Sequence, residues 1–120
     1  METLPLRKIN DEVYVASEAV IRLDRRAVDL VREAALRNPR GRARICTHRD
    51  AGDSLHEMLI GIAAASYVRP HRHHGKIESF HLVEGEAEVV ILSPAGLVED
   101  VVALGPQASF YYRLDAPRYH

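Results

Sequence analysis

The stretch between Tyr67 and Gly85 constrains the fold and chemistry of this chain most, because it spaces four residues at fixed intervals: His71, His73, Glu78 and Gly85. Alternate residues of a β-strand face the same side, so the imidazoles of His71 and His73 point one way. A short polar turn leads into a second apolar run that opens with Glu78. Such a hairpin brings a carboxylate beside two imidazoles, a ligand set that suits a first-row divalent metal with open positions.

The C-terminal half of the chain has the pattern of an all-β domain. Short runs rich in β-formers alternate with Gly/Pro turns every eight to twelve residues, which favours a sandwich or a small barrel. Ser93-Pro94-Ala95-Gly96 has Pro at the second and Gly at the fourth position of a turn. We predict strands over residues 57–64, 67–73, 77–83, 86–92, 97–104 and 108–114.

The N-terminal part predicts a β arm followed by one helix. Residues 13–15 and 19–21 are β-like runs, which we expect to add to a sheet edge of this chain or of a second subunit. A helix is predicted over residues 24–37, with Asp24 as N-cap and an apolar stripe on one side: Ala27, Val31 and Ala34. Because the arm has no obvious partner in so short a barrel, we predict a homodimer.

Length and composition indicate a soluble single domain. The chain has 120 residues, of which 47% are hydrophobic and 28% charged, ordinary values for a globular protein. Its net charge of −1 gives no field that favours nucleic acid or an acidic membrane. Cys46 stands alone and suits a reducing compartment. With neither a secretory leader pattern nor an apolar run of membrane length, we expect a cytoplasmic protein.

The spacing His-x-His, four residues, Glu, six residues, Gly resembles the first motif of the cupin superfamily. The motif has a further Gly six residues before the first His, where this chain has Ala65. That Gly shapes a turn rather than binding metal. The resemblance implies a mostly β fold: a single cupin-type β-barrel or jelly roll over residues 43–120, preceded by the arm and helix at 1–42. The alternative is a degenerate cupin that kept the pattern but not the metal.

A narrower resemblance, to small cupin-fold metalloproteins of WbuC type, covers most of the chain. It rests on these segments: Pro-Arg-Gly-Arg-Ala-Arg at 39–44, Tyr-Val-Arg-Pro-His-Arg-His at 67–73, Lys-Ile-Glu-Ser-Phe at 76–80 and Phe-Tyr-Tyr-Arg-Leu at 110–114. The second cupin motif implies His120 as the last metal ligand, although Arg118 replaces its Gly. The family pattern also implies two or three further strands after His120, so we expect either that this sequence is truncated or that another segment closes the barrel.

Four residues outside the metal set are candidates for binding a small ligand. Arg69 shares the His71 side by alternation and could hold an anionic group, or form a salt bridge at the barrel mouth. Arg44 belongs to three arginines at alternate positions that could form an anion-binding edge. His48 and Tyr112 could reach the cavity, or be a strand-end residue and a packing residue respectively.

Function is predicted at the level of class. The resemblance implies a metal-dependent protein that acts on a small polar, sugar-derived or carboxylated substrate in bacterial surface-polysaccharide (O-antigen) metabolism. As an enzyme it would be an isomerase, epimerase or oxygenase. The alternatives are a non-catalytic metal-containing module that binds a sugar or carboxylate, and a purely structural metal site. The ligand set does not distinguish Fe, Mn, Ni, Zn and Cu.

Overall fold

The computed structural model describes residues 4–73, 76–115 and 118–120. In this part the chain is mostly β with one helix, as the sequence predicts, and it has eight strands, of which those at Leu6–Lys8 and Arg42–Cys46 were not predicted. The chain divides into two compact units, Met1–Tyr67 and Val68–His120. This division lies 25 residues beyond the expected one at 42/43, because the two strands that follow residue 41 pair inside the first unit.

The first unit is a four-stranded sheet with a helix packed on it. Its strands lie in chain order in the sheet: β1 Leu6–Lys8, β2 Val13–Ala16, β3 Arg42–Cys46 and β4 Met58–Ile62. β2 runs antiparallel to β1 and parallel to β3, and β4 runs antiparallel to β3. Helix α1, Arg25–Arg37, connects the parallel pair, as such a crossover requires.

The helix forms as its sequence predicts. The Asp24 carboxylate accepts a hydrogen bond from the Arg26 backbone N–H, which satisfies an otherwise unpaired donor of the first turn. Its buried face includes the whole predicted stripe and packs on the buried sheet residues Ala43 and Ile45. Gly61 permits this close approach, because a Cβ there would lie 2.7 Å from the Val31 carbonyl oxygen.

Three predictions for individual strands need correction or extension. Residues 13–15 do form a strand, but residues 19–21 lie outside any strand. β1 was not predicted, and it fills the place that a second subunit was expected to take beside β2. β2 is therefore an interior strand of its own unit, and the dimer stays a prediction without its original motivation. Residues 67–73 were predicted to be a strand and instead form an irregular segment.

The second unit contains two separate antiparallel pairs. β5 Glu78–His81 pairs with β8 Tyr111–Leu114, and β6 Ala87–Leu92 pairs with β7 Val98–Leu104. The predicted Ser93–Gly96 turn joins β6 to β7, closed by a hydrogen bond from the Gly96 N–H to the Ser93 carbonyl. No sheet among the described residues closes into the predicted barrel.

The length of the helix shows whether it could span a membrane. Helix α1 has 13 residues, and no helix in the described part of the chain is long and apolar enough to cross a membrane.

Candidate metal centre

Three histidines of the second unit converge on one point. A ring nitrogen from each of His71, His73 and His120 lies within 4.8 Å of the others. The rings of His71 and His73 meet edge to face with centroids 5.1 Å apart, and those of His71 and His120 are 4.6 Å apart. The rings of His71 and His73 therefore approach the same point, although their segment is not a regular strand.

Main-chain pairing brings His120 to the other two histidines. The His71 N–H donates to the His120 carbonyl at 3.3 Å, and the His120 N–H donates to the His71 carbonyl at 3.0 Å. This double exchange is the hydrogen-bonded pair of an antiparallel ladder, which holds the two Cα atoms about 5.5 Å apart. The late histidine that the sequence assigned from the weaker motif is thus fixed beside the first by backbone geometry.

Glu78 lies against two of the three imidazoles. Its Oε1 is 2.8 Å from His73 Nε2, and its Oε2 is 2.9 Å from His120 Nε2. Glu78 Oε2 and His120 Nε2 are both buried, and despite their closeness neither makes a hydrogen bond of acceptable geometry. Two buried polar atoms facing each other without a shared proton are costly, and a cation between or beside them would satisfy both.

The outer nitrogens of two histidines contact backbone carbonyls. His71 Nδ1 is 3.0 Å from the Arg69 carbonyl, and His120 Nδ1 is 3.4 Å from the Arg118 carbonyl. A carbonyl only accepts, so these contacts favour the tautomer with the proton on Nδ1 and the lone pair on Nε2. Metal-ligating histidines commonly have this outer hydrogen bond, which fixes the ring and the tautomer.

The donor set fits a divalent transition metal. Three imidazoles and one carboxylate provide nitrogen and oxygen donors of the kind that Zn, Cu, Fe, Ni and Mn accept. His71 is exposed, so solvent or a small ligand can approach from that side. The four predicted metal ligands are thus all brought together, and they could hold one ion.

An aromatic pair lines the same face of the β5–β8 pair as Glu78. Phe80 and Tyr112 are cross-strand partners, stacked with centroids 4.9 Å apart and planes 7° apart. The Phe80 ring also meets the His120 ring, at 6.3 Å. Burial, and secondarily the charge of Glu78, raise the pKa of Tyr112 to about 12, so its hydroxyl stays protonated at neutral pH.

The remaining candidate of this unit, Arg69, is exposed, and its contact with the cluster is made by its carbonyl. A ligand-binding role for its guanidinium stays a prediction. Arg72 lies with its guanidinium over the Tyr119 ring, 5.1 Å from the centroid. His81 faces away from Glu78 by register and contacts Tyr111.

The other two candidates belong to the first unit. Arg44 lies on β3, where its Nη1 is 3.9 Å from the Met58 sulfur across the strand pair. His48 follows β3 and stacks on His56, with centroids 4.6 Å apart and planes 9° apart. Nearby Cys46 is partly buried, and burial raises the pKa of its thiol, which makes it a poor nucleophile. Ligand binding by Arg44 and His48 stays a prediction.

Sequence reasoning missed the residues that support the centre from outside. Phe80 was given no role beyond its place in the Lys-Ile-Glu-Ser-Phe segment, and the ion pair between Arg118 and Glu99 had no sequence signal, because the two residues lie 19 positions apart. The only hint was Arg118 itself, a charged residue at a position where the resembled motif has Gly.

Comparison with known proteins gives a family but no activity. A domain family of unknown function, DUF6016, matches residues 23–104, which include His71, His73 and Glu78 but not His120. No curated protein and no solved structure matches the chain. Because the match covers well over half of the 120 residues, the chain belongs to the DUF6016 family.

Proposed function

We propose that this protein binds one divalent first-row transition metal through His71, His73, Glu78 and His120. One observation carries the proposal: Glu78 Oε2 and His120 Nε2 are buried 2.9 Å apart, neither makes a hydrogen bond of acceptable geometry, and the contact is an ion pair only if His120 is protonated. With His120 neutral and its proton on Nδ1, these are two buried acceptors that face each other, and a metal ion would satisfy both.

The metal would serve a reaction or a binding event on a small polar ligand. A bound ion supplies Lewis-acid chemistry by polarising a carbonyl or hydroxyl oxygen at an open position. The exposed side of His71 gives such a ligand a way in, and the Phe80–Tyr112 stack forms an apolar wall nearby. The substrate class, sugar-derived or carboxylated and linked to bacterial surface polysaccharide, and the cupin-type barrel are supported by the sequence resemblance alone. A cytoplasmic location is supported by the lone Cys46.

A non-catalytic binding module is the second candidate, and the protonation of Tyr112 favours it. The Tyr112 phenol belongs to the aromatic stack that meets His120 and is not a proposed ligand, and its pKa of about 12 keeps it neutral. A neutral phenol can donate a hydrogen bond but is a poor general base. Epimerisation or isomerisation by proton abstraction would therefore need a base other than Tyr112, whereas metal-assisted binding needs none. Turnover of candidate nucleotide sugars separates these two functions.

Metal content tests the proposal directly. We expect about one divalent ion per chain, by elemental analysis, in protein purified without a chelating column. The double variant His71→Ala/His73→Ala should lose this stoichiometric metal, because half of the donor set is gone. His81→Ala is the matched control: it removes a histidine of the same unit that faces away from Glu78, and its metal content should be unchanged.

Two results would contradict the proposal. Full occupancy in the double variant would place the ion elsewhere. A wild-type protein that stays metal-free after supplementation with Zn²⁺, Mn²⁺, Fe²⁺, Ni²⁺ and Cu²⁺ would instead support a degenerate cupin.

A further inference from the structure

Residues 118–120 are tied to the β6–β7 pair by the main chain. The Leu92 N–H, at the end of β6, donates to the Tyr119 carbonyl at 2.8 Å, and the Tyr119 N–H donates to the Leu92 carbonyl at 3.3 Å. The next residue, His120, makes the equivalent double exchange with His71. This short segment therefore bridges the end of one hairpin and the histidine cluster.

Two side-chain contacts hold the same segment. Arg118 Nε lies 2.8 Å from Glu99 Oε2 on β7, in an ion pair whose two side chains are each roughly 40% exposed. The Arg72 guanidinium covers the Tyr119 ring. None of these groups belongs to the proposed donor set. We call Glu99, Arg118 and the Leu92–Tyr119 bridge the latch.

We propose that the latch positions His120 for metal binding, so that Glu99 and Arg118 tune the affinity of the centre without touching the ion. The inference rests on the proposed function. His120 follows Arg118 and Tyr119 directly, and the latch contacts fix the backbone immediately before it. The His120 side chain is only 7% exposed, so a small displacement of residues 118–119 would withdraw its Nε2 from Glu78.

The size of the effect follows from the exposure of the ion pair. An exposed or half-exposed ion pair is weak, which limits the effect of neutralisation to a change in affinity of about 1.4- to 5-fold. Charge reversal at one partner places like charges together and should weaken binding further. The Arg118 carbonyl contacts His120 Nδ1, but a side-chain substitution keeps that carbonyl, so the ~10–100-fold loss seen on removing a direct outer partner of a ligand is not expected.

A charge-swap experiment tests the latch, with Zn²⁺ affinity measured by calorimetric titration in the full chain. Glu99→Arg and Arg118→Glu should each weaken Zn²⁺ binding by roughly three-fold or more. The double variant Glu99→Arg/Arg118→Glu restores an ion pair of opposite polarity and should recover most of the affinity. Arg113→Glu, on the exposed face of β8, makes the same charge change as Arg118→Glu without touching the latch, and should have a smaller effect.

A second readout separates positioning from general stabilisation. In a His120→Ala background the latch substitutions should leave Zn²⁺ affinity unchanged, because there is no imidazole left to position. Hydrogen exchange of the Leu92 amide, which donates to Tyr119, should slow when Zn²⁺ binds the wild type but not His120→Ala.

The outcomes distinguish the two proposals. If the wild type binds Zn²⁺ and the charge reversals change its affinity no more than Arg113→Glu does, the latch is wrong and the metal centre stands. If the charge reversals lower Zn²⁺ affinity equally in the wild-type and His120→Ala backgrounds, the latch contacts have only a structural role. If the wild type takes up neither Zn²⁺ nor any other divalent ion, both proposals fail.

Discussion

Each of the two units is stabilised internally by a different kind of contact. The first has a contiguous apolar core in which α1 packs on the sheet: Ala16, Ala27, Val31, Ala34, Ala35, Ala43 and Ile45. In the second, the buried hydrophobic residues are few among those the structure describes: Ile91, Leu104 and Tyr112. Its most densely convergent group is instead polar, the three imidazoles and Glu78. The comparison suggests that apolar burial suffices for the first unit, whereas the second depends on satisfying its polar cluster.

The largest expected effect is the loss of a core side chain from the first unit. Ile45 is fully buried, and Ile45→Ala should lower the free energy of unfolding by ~2–5 kcal/mol, since it removes apolar contacts and leaves a cavity. Ile91→Ala makes the same change in the second unit, at a residue 7% exposed and outside the core cluster. It should cost less than about 2 kcal/mol. Urea unfolding of both variants measures the two changes. Equal decreases in the free energy of unfolding would contradict the expected difference between the units.

The next effect is that of the metal on the second unit. Zn²⁺ at about one hundred times its dissociation constant should stabilise the state that binds it by ~2.7 kcal/mol. We expect slower hydrogen exchange at backbone amides of β5 and β8, and little change at those of α1 and β3, when Zn²⁺ is added. Chelation should reverse the effect. If Zn²⁺ slows hydrogen exchange as much in the first unit as in the second, the metal does not stabilise the second unit selectively.

The smallest effect concerns Tyr112 at alkaline pH. Its pKa is raised from about 10 to about 12 by burial and by the Glu78 charge. Between these two values the unfolded chain has lost this proton while the folded chain keeps it, so the contribution is complete below pH 10 and disappears as pH rises towards 12. Tyr112→Phe should reduce the dependence of the free energy of unfolding on pH between about 10 and 12. Urea unfolding at several pH values in this range measures it. Tyr111→Phe, on the opposite face of β8, is the control and should leave the slope unchanged.

Local features of the sequence predicted the helix and several strands of both units. The position of Asp24 before a 3.6-residue apolar stripe fixed the start and the buried face of α1, because capping and helical periodicity depend on near neighbours. The runs at 13–15, 86–92 and 97–104 likewise formed strands close to their expected bounds. The runs at 19–21 and 67–73 did not, since a strand needs a partner and β-propensity alone does not provide one.

For the centre, the sequence by itself determined which residues have the right chemistry and that His71 and His73 lie close together, because two residues two positions apart are within a few ångströms in any backbone conformation. Only the tertiary structure decided that His120 reaches them, through its paired hydrogen bonds with His71. It also decided that Glu99 holds Arg118 and that Phe80 stacks on Tyr112. These contacts join residues at least 19 positions apart, and no local pattern encodes them, because they depend on how separate hairpins pack together.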